Sequence, residues 1–249
     1  MSGVRRSGAA ALVLLFALAA APGGRADERE AGGRPRLLDF EFEDPAVRRV
    51  LERTTITRAI EPTRFIGRMA HEEFLLDRLP LSAALGRRLH PALEHYRITE
   101  KGRGVWAIEE GESIRGRTRL IARAPGRRVY IAEGEFRSLA QLLSFEGAMV
   151  ITLRYWEDEQ GGRAYLHNAP HVYVRIENVL LHGLAKLFSP ILHGIVERRV
   201  ARLAAAANAV SDRFTRDPAG LYREMLGWPE VSERDRAAFR RHFGIEGEE

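Results

Sequence analysis

The run Ala148-Met149-Val150-Ile151-Thr152-Leu153-Arg154-Tyr155-Trp156-Glu157 decides the fold class. Met149, Ile151, Leu153 and Tyr155 fall on one side of an extended chain; Val150, Thr152, Arg154 and Trp156 fall on the other. Side chains alternate across a strand, so this pattern predicts a strand with one face in a core. Working outward, similar runs recur about every ten residues, each closed by turn residues. Upstream, Leu93–Glu100 ends at Lys101-Gly102, Gly104–Glu110 at Gly111, and Ile114–Arg123 at Pro125-Gly126. Arg127–Phe136 then leads into a less regular apolar piece, Arg137–Gly147. Downstream, Gly161-Gly162 turns the chain into Arg163–Ile176. Pro170 in that strand predicts a bulge or an edge, because proline has no N–H to give to a ladder. In Ile114–Arg123, Ile114, Gly116, Thr118, Leu120 and Ala122 face one way, and Arg115, Arg117, Arg119 and Arg123 face the other. Such alternation predicts antiparallel sheet with one dry and one wet face.

Helical patterns flank the strands. Asp44 before Pro45 predicts a helix to about Arg53, with aspartate as N-cap and proline at the first helical position. Arg64–Ala70 reads as a strand and His71–Leu79 as a helix stopped by Pro80. Leu81, Leu85 and Leu89 give a second short helix at spacing four. After the sheet, Asn178–Phe214 reads as one long helix, apolar over more than one face from Val179 to Val196. It narrows to a stripe at Val196, Val200, Leu203, Ala207, Val210 and Phe214, and Pro190 predicts a kink or split at Ser189. Two short helices follow, Asp217-Pro218 to Leu226 and Ser232 to Phe243.

The chain has 249 residues, 39 Lys+Arg against 34 Asp+Glu, a formal charge of +5 and no cysteine. The missing cysteines exclude disulfides, a thiol nucleophile, iron–sulfur clusters and Cys-ligated zinc. Arg5 and Arg6 precede an apolar run from Ala9 to Ala21, and small residues up to Ala26 follow. This layout predicts a secretory signal peptide over residues 1–26 and a periplasmic or extracellular mature chain. Its removal takes Arg5, Arg6 and Arg25 and no acid, leaving 36 basic against 34 acidic residues. No long basic block or RNA-binding motif accompanies the remaining arginines, so no nucleic-acid partner is expected. The remaining organisation is an N-terminal extension at 27–63, partly disordered, a main domain at 64–216 and a helical tail at 217–249.

The order is strand, two short helices, six antiparallel strands and a long helix. Residues Arg64–Phe214 resemble the START-like, or SRPBCC, superfamily of hydrophobic-ligand-binding proteins. The resemblance is carried by Arg64-Phe65-Ile66-Gly67-Arg68, by the Leu76-Asp77-Arg78-Leu79-Pro80 junction, by the Val150–Tyr155 strand and by the helix from Leu180 to Phe214. It implies an α+β helix-grip fold: a curved antiparallel sheet of about seven strands wrapped around a long C-terminal helix, with two short helices after the first strand. It also implies a cavity for a lipid or other hydrophobic small molecule, with no cofactor. The expected lining is Trp106, Tyr130, Phe136, Met149, Ile151, Leu153, Tyr155, Leu180, Leu184, Leu187, Phe188 and Ile191, with Arg137–Gly147 as a candidate lid.

Other chemistry is sparse. His71-Glu72-Glu73 begins like a zinc-protease motif, but residue 75 is Leu, so it reads as an exposed first turn of a helix. His167 and His171 stand four apart on a strand, which does not suit a metal. Glu133 and Glu135 share a face with Val129 and Ile131, so one carboxylate facing an arginine such as Arg117 or Arg154 on the dry side competes with a surface ion-pair ladder. The row Arg115, Arg117, Arg119 and Arg123 allows transient contact with an anionic membrane surface. Three functions are open: a carrier, a cyclase- or dehydratase-like enzyme using His95, Glu133 or His182, and a scaffold with a filled core.

Overall fold

Each long strand turns back on the one before it. The computed structural model describes residues 36–37, 40–60, 62–137, 144–177 and 205–245. The leader at 1–26, the lining residues Leu180, Leu184, Leu187, Phe188 and Ile191, His182, the Pro190 kink and the middle of the candidate lid lie outside the described residues. In chain order the described elements are β1 (Arg36–Leu37), β2 (Phe40–Glu41), α1 (Pro45–Glu52), β3 (Ile56–Ala59), β4 (Thr63–Ile66), α2 (Met69–Leu76), α3 (Leu79–Leu89), β5 (Tyr96–Gly102), β6 (Val105–Glu110), β7 (Ile114–Ala124), β8 (Arg127–Arg137), β9 (Ser144–Gln160) and β10 (Arg163–Ile176). A helix at residues 205–216, here α4, precedes α5 (Pro218–Leu226) and α6 (Glu233–Phe243). The fold is α+β around one large antiparallel sheet.

The sheet order is β3-β10-β9-β8-β7-β6-β5, with β4 also paired to β10. That makes eight strands among the described residues, one more than the sequence suggests, because the short strand β3 joins the edge. β4 covers β10 from Tyr165 to Asn168 and β3 covers it from His171 to Val174. Pro170 falls in the gap between them. Ile60 N donates to the Pro170 carbonyl, so that residue's backbone faces the broken edge and its missing N–H costs no ladder bond. β10 therefore runs unbroken against β9, with Pro170 opposite Leu153. Pro80 is reassigned too: it occupies the first turn of α3, where no N–H is needed, and α2 ends at Leu76.

Three glycines line up across the sheet. Gly116 stands opposite Gly134, and Gly134 opposite Gly147, a row across β7, β8 and β9. A Cβ on Gly134 would come within 2.6 Å of the Gly116 Cα, so only glycine permits this approach. The last residues of the candidate lid, Ser144 to Gly147, are part of β9 and pair with β8.

Two corrections concern the faces. The register slips between Leu120 and Ala122, after which Ala122 opposes Val129 and Arg123 opposes Arg128. A bulge of this kind turns the following side chains over, so Arg123 leaves the row of Arg115, Arg117 and Arg119 and reaches Asp77 at 3.4 Å. The outer face is also not simply wet. α1 is capped by Asp44, whose carboxylate accepts from Ala46 N at 2.9 Å, and its Val47 and Val50 pack with Val129, Ile131, Ala148 and Val150 in a buried cluster. The segment before Thr63 thus covers part of the sheet. On the inner face, α2, α3, α4, α5 and α6 join Trp106, Ile108, Tyr130, Met149 and Ile151 in the main core. No helix among the described residues is long and apolar enough to cross a membrane.

Candidate functional site

α2 carries the central group. Glu72 precedes Leu75 and Leu76 by three and four residues, so it shares their face of the helix. That face lies on the inner side of the sheet, and Glu72 is only 6% exposed. Asn168, fully buried on β10, donates from Nδ2 to Glu72 Oε1 at 3.2 Å. Burial pushes the Glu72 carboxyl up to about 7, against the Asn168 hydrogen bond and the positive charge of Arg128. At neutral pH the group is poised between acid and carboxylate, the condition sought in a proton-exchanging site. The exposed-first-turn expectation for His71-Glu72-Glu73 is therefore corrected for Glu72.

Further polar groups lie along the same face. Arg128, buried beside Tyr130 on β8, donates from Nη2 to Asp77 Oδ1 at 3.1 Å. Tyr155 donates its hydroxyl to Glu73 Oε1 at 3.2 Å. Burial raises the Tyr130 and Tyr155 phenols well above the ordinary tyrosine range. Register places Asn168 between Tyr155 on one side and Thr63 on the other. The Thr63 hydroxyl and the Asn168 Oδ1 are buried without a hydrogen-bond partner among the described residues.

Of these polar groups, Glu72 lines a crevice of about 30 Å³. α2, α3, α4 and the ends of β4 and β10 form its wall, with Phe65, Leu75, Leu93, Leu166, Val210 and Phe214 around Glu72. Ser211 on α4 donates to the Ile66 carbonyl and ties the helix to the end of β4. A Cβ on Gly67 would lie 2.8 Å from the Ser211 hydroxyl, so the glycine permits that contact. His71 closes one side, with ring centroids 5.8 Å from Phe214, 4.9 Å from Phe243 and 5.3 Å from His242. Burial, then the charges of His242 and Arg68, depress the His71 imidazole to about 4, against Glu157.

The residues expected to line a cavity divide clearly. Trp106, Tyr130, Met149, Ile151, Leu153 and Tyr155 are buried together on the inner face. They pack in the core, and the crevice wall is made elsewhere. Phe136 is on β8 opposite Phe145. Of the proposed acid–base residues, His95 is exposed and pairs with Glu94 at 3.1 Å, and Glu133 is exposed opposite Arg117. Glu133 thus belongs to a surface ladder and faces away from the core. His167 stacks on Trp156 and pairs with Asp158, and no metal-binding cluster occurs among the described residues. Glu72 and Asn168 were missed. The signal for Glu72 was its place in the Leu75–Leu76 stripe; Asn168 had none beyond its parity with Leu166 and Val172.

No family model matches the chain, and no curated protein matches it. Solved structures of low similarity include the ZhuI aromatase/cyclase from Streptomyces sp. R1128, 13% identical with TM-score 0.35, covering 66% of this chain and 99% of that one. Another is Ara h 8.0201, 14% identical with TM-score 0.31 over 58% of this chain and 98% of the other. A third is truncated norcoclaurine synthase from Thalictrum flavum, 11% identical with TM-score 0.31 over 59% and 93%. Likenesses this distant assign no role to any residue of the site.

Proposed function

We propose that the chain binds a lipid or other hydrophobic small molecule between the inner face of the sheet and its C-terminal helical segment, and carries it without chemical change. One observation supports this above the others: an apolar crevice with a buried carboxyl in its wall. Apolar walls with a few convergent polar groups are the usual form of a small-molecule site. At about 30 Å³ the crevice takes little more than water, so binding requires α4 to move outward. Ala206, Ala207 and Ser211 are the small residues α4 presents there, opposite the apolar Phe65 and Leu166 of the sheet. The apolar run behind Arg5 and Arg6 supports action after export.

Mass spectrometry of an organic extract of the purified chain, with titration of the apolar fluorophore phenylnaphthylamine, tests the carrier. A co-purifying lipid and saturable fluorescence are expected; absence of both defeats it. A second reading, acid–base catalysis in the same crevice, draws on Glu72, which titrates near neutral pH. It requires that a bound molecule be recovered altered, and that Glu72→Gln abolish the change.

A further inference from the structure

Behind Glu72 the inner face carries hydrogen-bonding capacity that the chain leaves unused. Phe65 stands opposite Leu166, and both line the crevice. One step along the same face, Thr63 stands opposite Asn168. Side chains two residues apart on a strand share a face at about 7 Å, so this second pair adjoins the crevice wall at Phe65 and Leu166 but stands outside the lining itself. Asn168 spends its amide nitrogen on Glu72, and its oxygen has no partner among the described residues, nor has the Thr63 hydroxyl. Turning the amide over merely exchanges which end is unpaired. Buried groups left in this state cost stability, and a native site usually has an occupant for them.

The chemistry of that occupant is restricted. Glu72, Glu73 and Asp77 crowd the region, and its buried cation, Arg128, already serves Asp77. A carboxylate head would add a further negative charge there. With Asn168 donating to Glu72, an acceptor-only ester or ketone satisfies Thr63 but leaves the Asn168 oxygen bare. A hydroxyl both donates and accepts, and so answers Asn168 in either orientation as well as Thr63.

We infer that Asn168, Thr63 and Glu72 form a polar anchor for the neutral hydroxyl group of an apolar alcohol. The inference rests on the carrier proposed above and names the class of its ligand.

The test is displacement of phenylnaphthylamine by decanol, methyl decanoate, decylamine and decane. Decanol is expected to bind roughly ten-fold more tightly than methyl decanoate or decane, the scale of one net hydrogen bond. Thr63→Val and Asn168→Leu should each bring decanol close to decane. Thr63→Val is the milder change and stands in if Asn168→Leu does not fold. Arg117→Ala, on the opposite face of the sheet, should keep the preference. Equal affinity for decanol and decane means a water site only, and overturns the anchor while carrier binding stands. Tighter binding of decylamine also overturns it, in favour of an ion pair with Glu72. If no probe displaces the fluorophore and the fluorophore itself does not bind, the carrier falls and takes the anchor with it.

Discussion

The two faces of one sheet treat charge in opposite ways. On the outer face, Arg115 stands opposite Glu109 and Glu135, Arg117 opposite Glu133, and Arg119 pairs with Asp44 at 2.7 Å. These groups lie in or near water and are matched by simple cross-strand register. On the inner face, Glu72, Arg128 and Asn168 are buried; Arg128 and Asn168 each keep an unpaired polar atom, and Glu72 is shifted in proton affinity. The difference shows where substitutions should be felt. A charge in high dielectric is nearly neutral in energy, whereas a buried polar group costs stability unless something pairs with it.

The largest expected effect tests what covers the inner face. Phe239 on α6 is fully buried against Phe74, Phe214, Tyr222 and Phe243. Phe239→Ala should cost about 3–5 kcal/mol in urea unfolding. A loss under about 1 kcal/mol would mean that the C-terminal helices are not part of the cooperative core.

The next effect is a pH dependence built from two neighbours of opposite sign. Folding raises the Glu72 carboxyl from 4.5 to about 7, so its contribution is full at acid pH and is lost as pH rises through that range. Folding lowers the His71 imidazole from 6.5 to about 4, so its contribution is full above that range and is lost as pH falls through it. The windows overlap, and the unmodified chain should show a shallow profile between them. Glu72→Gln should stabilise the chain above neutral pH by up to about 3 kcal/mol and leave stability that rises with pH. His71→Phe should unmask the opposite slope. Identical profiles for all three proteins, measured by urea midpoint, would contradict the burial of both groups.

The smallest effects belong to the outer face. Asp44→Ala removes the cap of α1 and the partner of Arg119, and should cost about 1 kcal/mol. Arg117→Ala in the exposed ladder should change stability by less than about 0.5 kcal/mol. A larger loss there would erase the contrast between the faces.

Much of the architecture was legible because it is local. The alternation from Met149 to Tyr155 assigned the faces of β9, the turn at Gly161-Gly162 set its pairing with β10, and the turn at Gly126 set that of β7 with β8, as the hairpin registers confirm. Pro170 was legible as a bulge or an edge, and the edge holds locally, because β3 and β4 leave a gap at that point. Arg123 misled because a single slip at Leu120–Ala122 turns over everything after it.

What the sequence determined by itself was the series of strands and helices, their alternation, and which charges could pair across adjacent strands. Those properties depend on neighbours a few residues or one hairpin away. Tertiary structure alone decided that Glu72 is buried, that Asn168 reaches it across 96 positions of chain, and that Thr63 stands behind them both. A helix shows the same sequence whether a given face meets water or a sheet. Its carboxyl becomes a candidate functional group only when packing removes the water.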